Sequence, residues 1–186
     1  MERCGWVTQD PLYLEYHDNE WGVAVRDRQK LFEMLCLEGQ QAGLSWITVL
    51  KKRENYRQCF HAFDPDSVAG MTENDVGNLL QNAGIIRHRG KIEAIINNAK
   101  ALLAMEAQGE DFSALVWSFV DGQPVVSRPA QLTDIPAKTE ASEALSRALK
   151  KRGFKFVGAT TCYAFMQACG LVNDHVTGCF CYKDKQ

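Results

Sequence analysis

Apolar residues recur every three or four positions along most of the chain, the interval at which side chains share one face of an α-helix. Six segments carry the pattern: 29–56 ("QKLFEMLCLEGQQAGLSWITVLKKRENY"), 72–83, 91–108, 111–121, 139–153 and 160–170. No stretch alternates with the period of two that marks a confident strand, so the expected class is all-α. Helix boundaries are well marked. Asp64-Pro65 closes one helical run, Thr72 with Asp75 reads as a capping box that opens the next, and Gly109, Gly153 and Gly170 suit helix C-termini. The longest irregular piece is 121–138, with three prolines, a connection across a surface.

Length and composition add limits. A chain of 186 residues buries about 70% of the surface its unfolded form exposes and needs no staples, so residues 1–186 are expected to form one domain. No apolar run reaches the roughly 18 residues of a membrane span. The N-terminus lacks the charged start and apolar stretch of an export signal, and a cytoplasmic location with no membrane association is expected. Seven cysteines, an odd number, speak against a disulfide framework. Cys36, Cys59, Cys162 and Cys169 lie in apolar periodic segments and read as core thiols. Cys4, Cys179 and Cys181 lie near the chain ends, where cores are thin, and are metal-ligand candidates. His175 and Cys179 stand four apart, as two ligands on one face or turn do, but a structural zinc needs four.

The net charge of −2 gives no hint of nucleic acid, although 51–57, 87–91 and 147–155 are locally basic, which for any one run usually means a solvated helix face. One of these runs has a distinctive setting. In "LLQNAGIIRHRGKIEAIINNAK" one helix ends at Ala83-Gly84 and a second starts near Gly90-Lys91. The start of that second helix offers unpaired N–H groups and a positive dipole end to a phosphate oxygen, with Arg87, His88, Arg89 and Lys91 as added charge. The segment, about 76–104, resembles the helix-hairpin-helix element of DNA repair enzymes, with Ile86 where a second glycine is usual. A plain helical hairpin with a basic loop is the alternative.

Three separated segments are more specific. "RCGW…YHDNEWG" near the N-terminus, "LCLEGQQAGLSWITVLKKRENYR" (35–57) and "GLVNDHVTGC" (170–179), in that order, are similar to the bacterial type I 3-methyladenine DNA glycosylases, and the match covers essentially the whole chain. The resemblance implies an all-α helix-hairpin-helix glycosylase fold with a structural zinc site joining the two chain ends. Its ligands would be Cys4, His17, His175 and Cys179, and four protein ligands leave no position for an activated water. It further implies an enzyme that flips 3-methyladenine out of double-stranded alkylated DNA, hydrolyses the N-glycosidic bond and releases the free base. No strand cleavage is expected, because a Schiff-base route needs an amine with a lowered pKa, and Lys91, the lysine near the hairpin, is expected to be too exposed to gain one by desolvation. Such an enzyme is expected to act as a monomer.

Residue by residue, the resemblance assigns Tyr16 and Trp46 to stacking on the base and Tyr13 to its neighbourhood, with Trp6 and Trp21 as wall members. Glu38 is the catalytic candidate. Its matched role is to accept a hydrogen bond from the exocyclic amine of adenine, and capping of the turn at Gly39 is the alternative. Gly43 and Leu44 match the loop that fills the gap left by the flipped base. Gly84, Ile86, Arg87, Gly90 and Lys91 would contact DNA phosphates, with Lys91 expected in a wet loop. Glu110 and Asp111, some twenty residues past the hairpin, gain no role from the resemblance and read as a polar helix boundary. Two other functions compete: a non-enzymatic helix-hairpin-helix DNA-binding module, and a zinc-dependent hydrolase with an open coordination position.

Overall fold

The computed structural model describes residues 1–183. Among them the chain forms α1 (Pro11–Asn19), α2 (Arg28–Gln40), α3 (Trp46–Leu50), α4 (Arg53–Cys59), α5 (Pro65–Ala69), α6 (Glu73–Leu79), α7 (Arg89–Ala107), α8 (Phe112–Ser118), α9 (Glu140–Lys151) and α10 (Ala159–Ala168). Two short strands, β1 (Val125–Val126) and β2 (Val172–Asn173), pair in parallel. The architecture is mostly helical, as the periodicity predicts. The strand pair is too short to leave a pattern in the sequence.

Side-chain caps set most helix starts. Asp10, Asp27, Asp64 and Asp111 each accept a backbone N–H from the first turn of α1, α2, α5 and α8. The expected Thr72–Asp75 capping box is present at α6. Asp64-Pro65 closes a helical run as expected, since Asp64 ends the 3-10 turn His61–Phe63, and it also opens α5 with proline at the first helical position, where no intrahelical N–H is needed. The 29–56 run is three helices, interrupted at 51–52 and at 41–45, where Gly43 has φ +79°, a conformation that a side chain resists. The helix placed over 72–83 ends at Leu79, ahead of Ala83-Gly84.

Helix α2 is the central element. It packs against α3, α7, α8 and α10, and every residue from Leu31 to Gln40 is buried. A helix enclosed on all sides must bury whatever polar residues it carries, and Glu33, Glu38 and Gln40 are those residues. The stripe Ile92, Ile95, Ala99 and Leu102 of α7 completes the core beside α5. Cys36, Cys162 and Cys169 are core thiols as expected, while Cys59 is half-buried. Among the described residues, no helix is long and apolar enough to cross a membrane.

Candidate active site

The two chain ends meet at a buried cluster of Cys4, His17, His175 and Cys179, whose ligand atoms all lie within 4.8 Å of one another. Cys4 Sγ is 3.5 Å from His175 Nδ1, and Cys179 Sγ is 3.5 Å from His17 Nε2 and 3.6 Å from His175 Nδ1. A tetrahedral ion with sulfur at about 2.3 Å and nitrogen at about 2.0–2.1 Å sets its sulfur and nitrogen ligands about 3.6 Å apart, so the cluster has the dimensions of a closed four-ligand site. The remaining ring nitrogens are occupied. His17 Nδ1 is 2.8 Å from Asp18 Oδ1, and His175 Nε2 is 3.0 Å from the Trp21 carbonyl, the outer contacts that orient metal-binding histidines. Asp18 in turn takes two bonds from Arg3, whose guanidinium, with His17, holds its carboxyl down at about 2. The Cys181 N–H points at Cys179 Sγ, 3.4 Å away, and its own thiol stands with His17 and Asp18 beside the four-residue set. Neither Asp18 nor the Trp21 carbonyl is singled out by sequence spacing, because the contact needs the folded ends.

Directly beside the cluster lies a cavity of about 270 Å³. Trp6, Tyr13, Tyr16, Trp21 and Trp46 form its aromatic walls, and Glu38 and Gln41 reach in from the end of α2. All five aromatics named from the sequence are therefore brought together. Helix α1 carries two of them, Tyr13 and Tyr16, and its buried residues are Tyr16, which faces the cavity, and His17, which belongs to the cysteine–histidine cluster. This helix was not expected from the sequence, since it buries so little that its apolar periodicity is faint. Leu132, Ile135 and Gln167 also line the cavity. Sequence reading missed them because two come from the irregular 121–138 connection and one from a helix whose pattern speaks only of core.

Glu38 is 5% exposed, and its carboxyl makes no hydrogen bond among the described residues. Burial alone pushes it up to about 8. Gly39 lies inside α2, so the turn-capping alternative for Glu38 has no turn to cap. The indole N–H groups of Trp6 and Trp46 are likewise buried without an acceptor. A buried carboxyl in a cavity walled by aromatic rings suits a flat polar heterocycle better than an aliphatic ligand. The Tyr16 and Trp46 ring centroids are 5.6 Å apart with planes at 46°. A ring stacked between two others needs about 7 Å, twice the closest carbon contact of about 3.5 Å, so these two must part before a base lies between them.

At the mouth, Gly43 and Leu44 are exposed and line a cleft continuous with Glu38 and Gln41. The hairpin of residues 80–88 joins α6 to α7. Arg87 there is exposed and makes no ion pair among the described residues. His88 caps α7 by accepting the Lys91 N–H, and a Cβ on Gly90 would come within 3.0 Å of the capping ring. Arg89 is tied to Glu73 and Glu93, so it is not the mobile charge expected. Lys91 is the main correction. Far from lying in a wet loop, it is 5% exposed, and its ammonium faces inward to two backbone carbonyls. Glu110 pairs with Arg152 and Asp111 caps α8, the polar boundary expected of both.

Fold and site together define a helical protein with an aromatic cavity that suits a nucleobase. Residues 6–182 match the methyladenine glycosylase family model, and the chain belongs to that family. It is 72% identical over 182 residues to DNA-3-methyladenine glycosylase 1 of Escherichia coli K12, an alignment spanning 98% of this chain and 97% of that protein. A crystal structure of a 3-methyladenine DNA glycosylase I, 71% identical, superposes with a TM-score of 0.96 over 98% of this chain and 100% of the other. The Staphylococcus aureus 3-methyladenine DNA glycosylase I, whose structure describes recognition of 3-methyladenine, is 40% identical and gives a TM-score of 0.96 over 100% and 99% of the two chains.

Proposed function

We propose that this chain is a DNA repair glycosylase that extrudes 3-methyladenine from alkylated double-stranded DNA and hydrolyses its N-glycosidic bond, leaving the strand uncut. The observation that carries the reading is the buried Glu38 carboxyl, without a hydrogen-bond partner among the described residues, lining a cavity walled by five aromatic residues. Alkylation at N3 makes the base cationic and weakens its bond to the sugar, so the protein has less to supply by acid catalysis than by capture. Aromatic faces favour a cationic ring through their quadrupoles. A cation beside Glu38 also favours the ionised carboxylate, which then accepts a hydrogen bond from the exocyclic amine. An unmodified adenine brings no charge to offset desolvation of that carboxylate, and its glycosidic bond stays strong. As the bond breaks, its electron pair leaves with the base and water adds to the sugar carbon.

The surrounding residues fit the same reading. Leu44, with Gly43, would fill the gap in the base stack. Gly84, Ile86, Arg87 and Gly90 would form a helix-hairpin-helix grip on phosphates. The four buried cysteine and histidine ligands suit zinc in a structural role, where the ion supplies only a fixed geometry, and that geometry holds Tyr16 through its neighbour His17. The test is chromatography of bases released from methylated duplex DNA. Release of 3-methyladenine is expected; duplex binding without any base release would instead make the chain a DNA-binding module.

A further inference from the structure

The hydrogen bonds around Lys91 join two regions that the proposed reaction uses separately. Lys91 sits in the first turn of α7, directly after the hairpin, and its Nζ donates to the carbonyl of Gln40 at 2.9 Å and of Ala42 at 2.6 Å. Gln40 is the last residue of α2, and Ala42 belongs to the loop that carries Gly43 and Leu44. The ammonium therefore meets carbonyls left unpaired at a helix C-terminus, where a cation also suits the dipole. A second path runs alongside. The Ile86 N–H of the hairpin donates to Tyr56 Oη at 3.1 Å, Tyr56 donates to Gln40 Oε1 at 3.1 Å, and Gln40 Nε2 donates to the Lys91 carbonyl at 3.1 Å. Lys91, Gln40 and Tyr56 are 5%, 1% and 0% exposed, so opening any link strands a buried polar group.

Resting on the glycosylase reading above, we infer that Lys91, with Gln40 and Tyr56, is a positioning residue that couples the phosphate-gripping hairpin to the wedge loop and the Glu38 end of α2. Two simpler roles fit less well. A phosphate contact needs an exposed ammonium, and this one is turned inward. A space-filling stem alone would need no charge, yet burial acts to pull the Lys91 amine below the ordinary lysine value while two carbonyls hold the ammonium. With the links intact, a duplex seated on the hairpin holds Leu44 and Glu38 in fixed register to it. Glu38 lies two positions before Gln40 and Leu44 two after Ala42, so a shift at the junction moves both together.

The experiment compares the full-length zinc-loaded protein with Lys91→Met, Lys91→Arg and Tyr56→Phe variants. Single-turnover release of 3-methyladenine from duplex DNA is measured with the fluorescence of 2-aminopurine next to the lesion, which reports unstacking. Affinity for free 3-methyladenine and for undamaged duplex is measured in parallel. Lys91→Met is expected to slow release about 10- to 100-fold, the usual cost of small misplacement, and to diminish the 2-aminopurine signal. Both binding affinities should stay within about twofold, because pocket walls and phosphate grip are retained. Lys91→Arg, which keeps charge and donors, should recover part of the rate. Tyr56→Phe, which cuts the parallel path without altering charge, should fail in the same direction, and it carries the test if Lys91→Met does not fold. Wild-type release in Lys91→Met and Tyr56→Phe overturns the inference, as does a parallel loss of free-base affinity, which would make Lys91 a pocket support only. Failure of the wild type to release 3-methyladenine would instead overturn the glycosylase reading.

Discussion

The Glu38 carboxyl is largely withdrawn from water, and the consequences run in opposite directions for stability and for binding. Its value of about 8 in the folded chain lies well above the ordinary carboxylate range. Folding therefore takes up a proton between those two values, so the contribution of this group to stability is greatest at low pH and is lost as pH rises through that window. Glu38→Gln removes the titration while keeping the shape. Its melting temperature should gain on that of the wild type between about pH 5 and about pH 9, while excision of 3-methyladenine falls and duplex binding persists. A difference in melting temperature that stays flat across that range would show that Glu38 is not the desolvated acid. At this scale the sequence was legible mainly through resemblance. A lone acid in an apolar helix announces a buried polar site, but nothing local says that Trp6 and Trp46 join it on one cavity wall.

Among the elements, the hairpin and α7 were placed nearly where the pattern put them, because a helix of nineteen residues with a continuous apolar stripe is hard to misread. Its charges were less legible. Whether Arg89 is free or paired depends on Glu73, sixteen positions away, and the direction of Lys91 depends on carbonyls some fifty positions back. What remains at the surface is Arg87 with the N–H groups at the start of α7. Arg87→Ala should weaken binding to duplexes of any sequence and reduce the salt slope of log affinity by about 1, with free-base affinity unchanged; equilibrium titration at several salt concentrations checks both. An unchanged slope would leave the hairpin a structural turn. Strand cleavage by a Schiff-base route needs a deprotonated amine within reach of the sugar. The Lys91 amine instead donates to two carbonyls inside the protein. Borohydride added during turnover on methylated duplex should trap no covalent complex, and a trapped species that vanishes in Lys91→Met would reverse this assignment.

At the scale of the whole molecule, the cysteine–histidine cluster depends on residues that no local pattern connects. His175 and Cys179 show a helical spacing, but their partners Cys4 and His17 lie 171 and 162 positions away from them in the contacts that close the set, and only the family pattern brought them together on paper. The geometry also separates Cys179 from Cys181. Cys4→Ala should abolish stoichiometric zinc and lower the melting temperature by about 5–10 °C, since each kcal/mol is worth about 2–4 °C in a chain of this size. Cys181→Ala should do neither, because the Cys179 sulfur is met by the Cys181 backbone N–H, which alanine retains. Metal analysis and calorimetry on both variants decide between the two thiols.

The joining of the ends also bears on how the chain is made. Synthesis runs from the N-terminus, so α1, with Tyr16 on the cavity wall, emerges first and waits for the last ligands to be translated. Until residues 175–179 leave the ribosome, the inner core of α2 and α7 has its partners, but Tyr16 lacks the contacts that fix its neighbour His17. A nascent or prematurely terminated chain would therefore carry most of the fold without a finished cavity. The ability to remove bases from DNA would arrive only once residues 175–179 have joined Cys4 and His17.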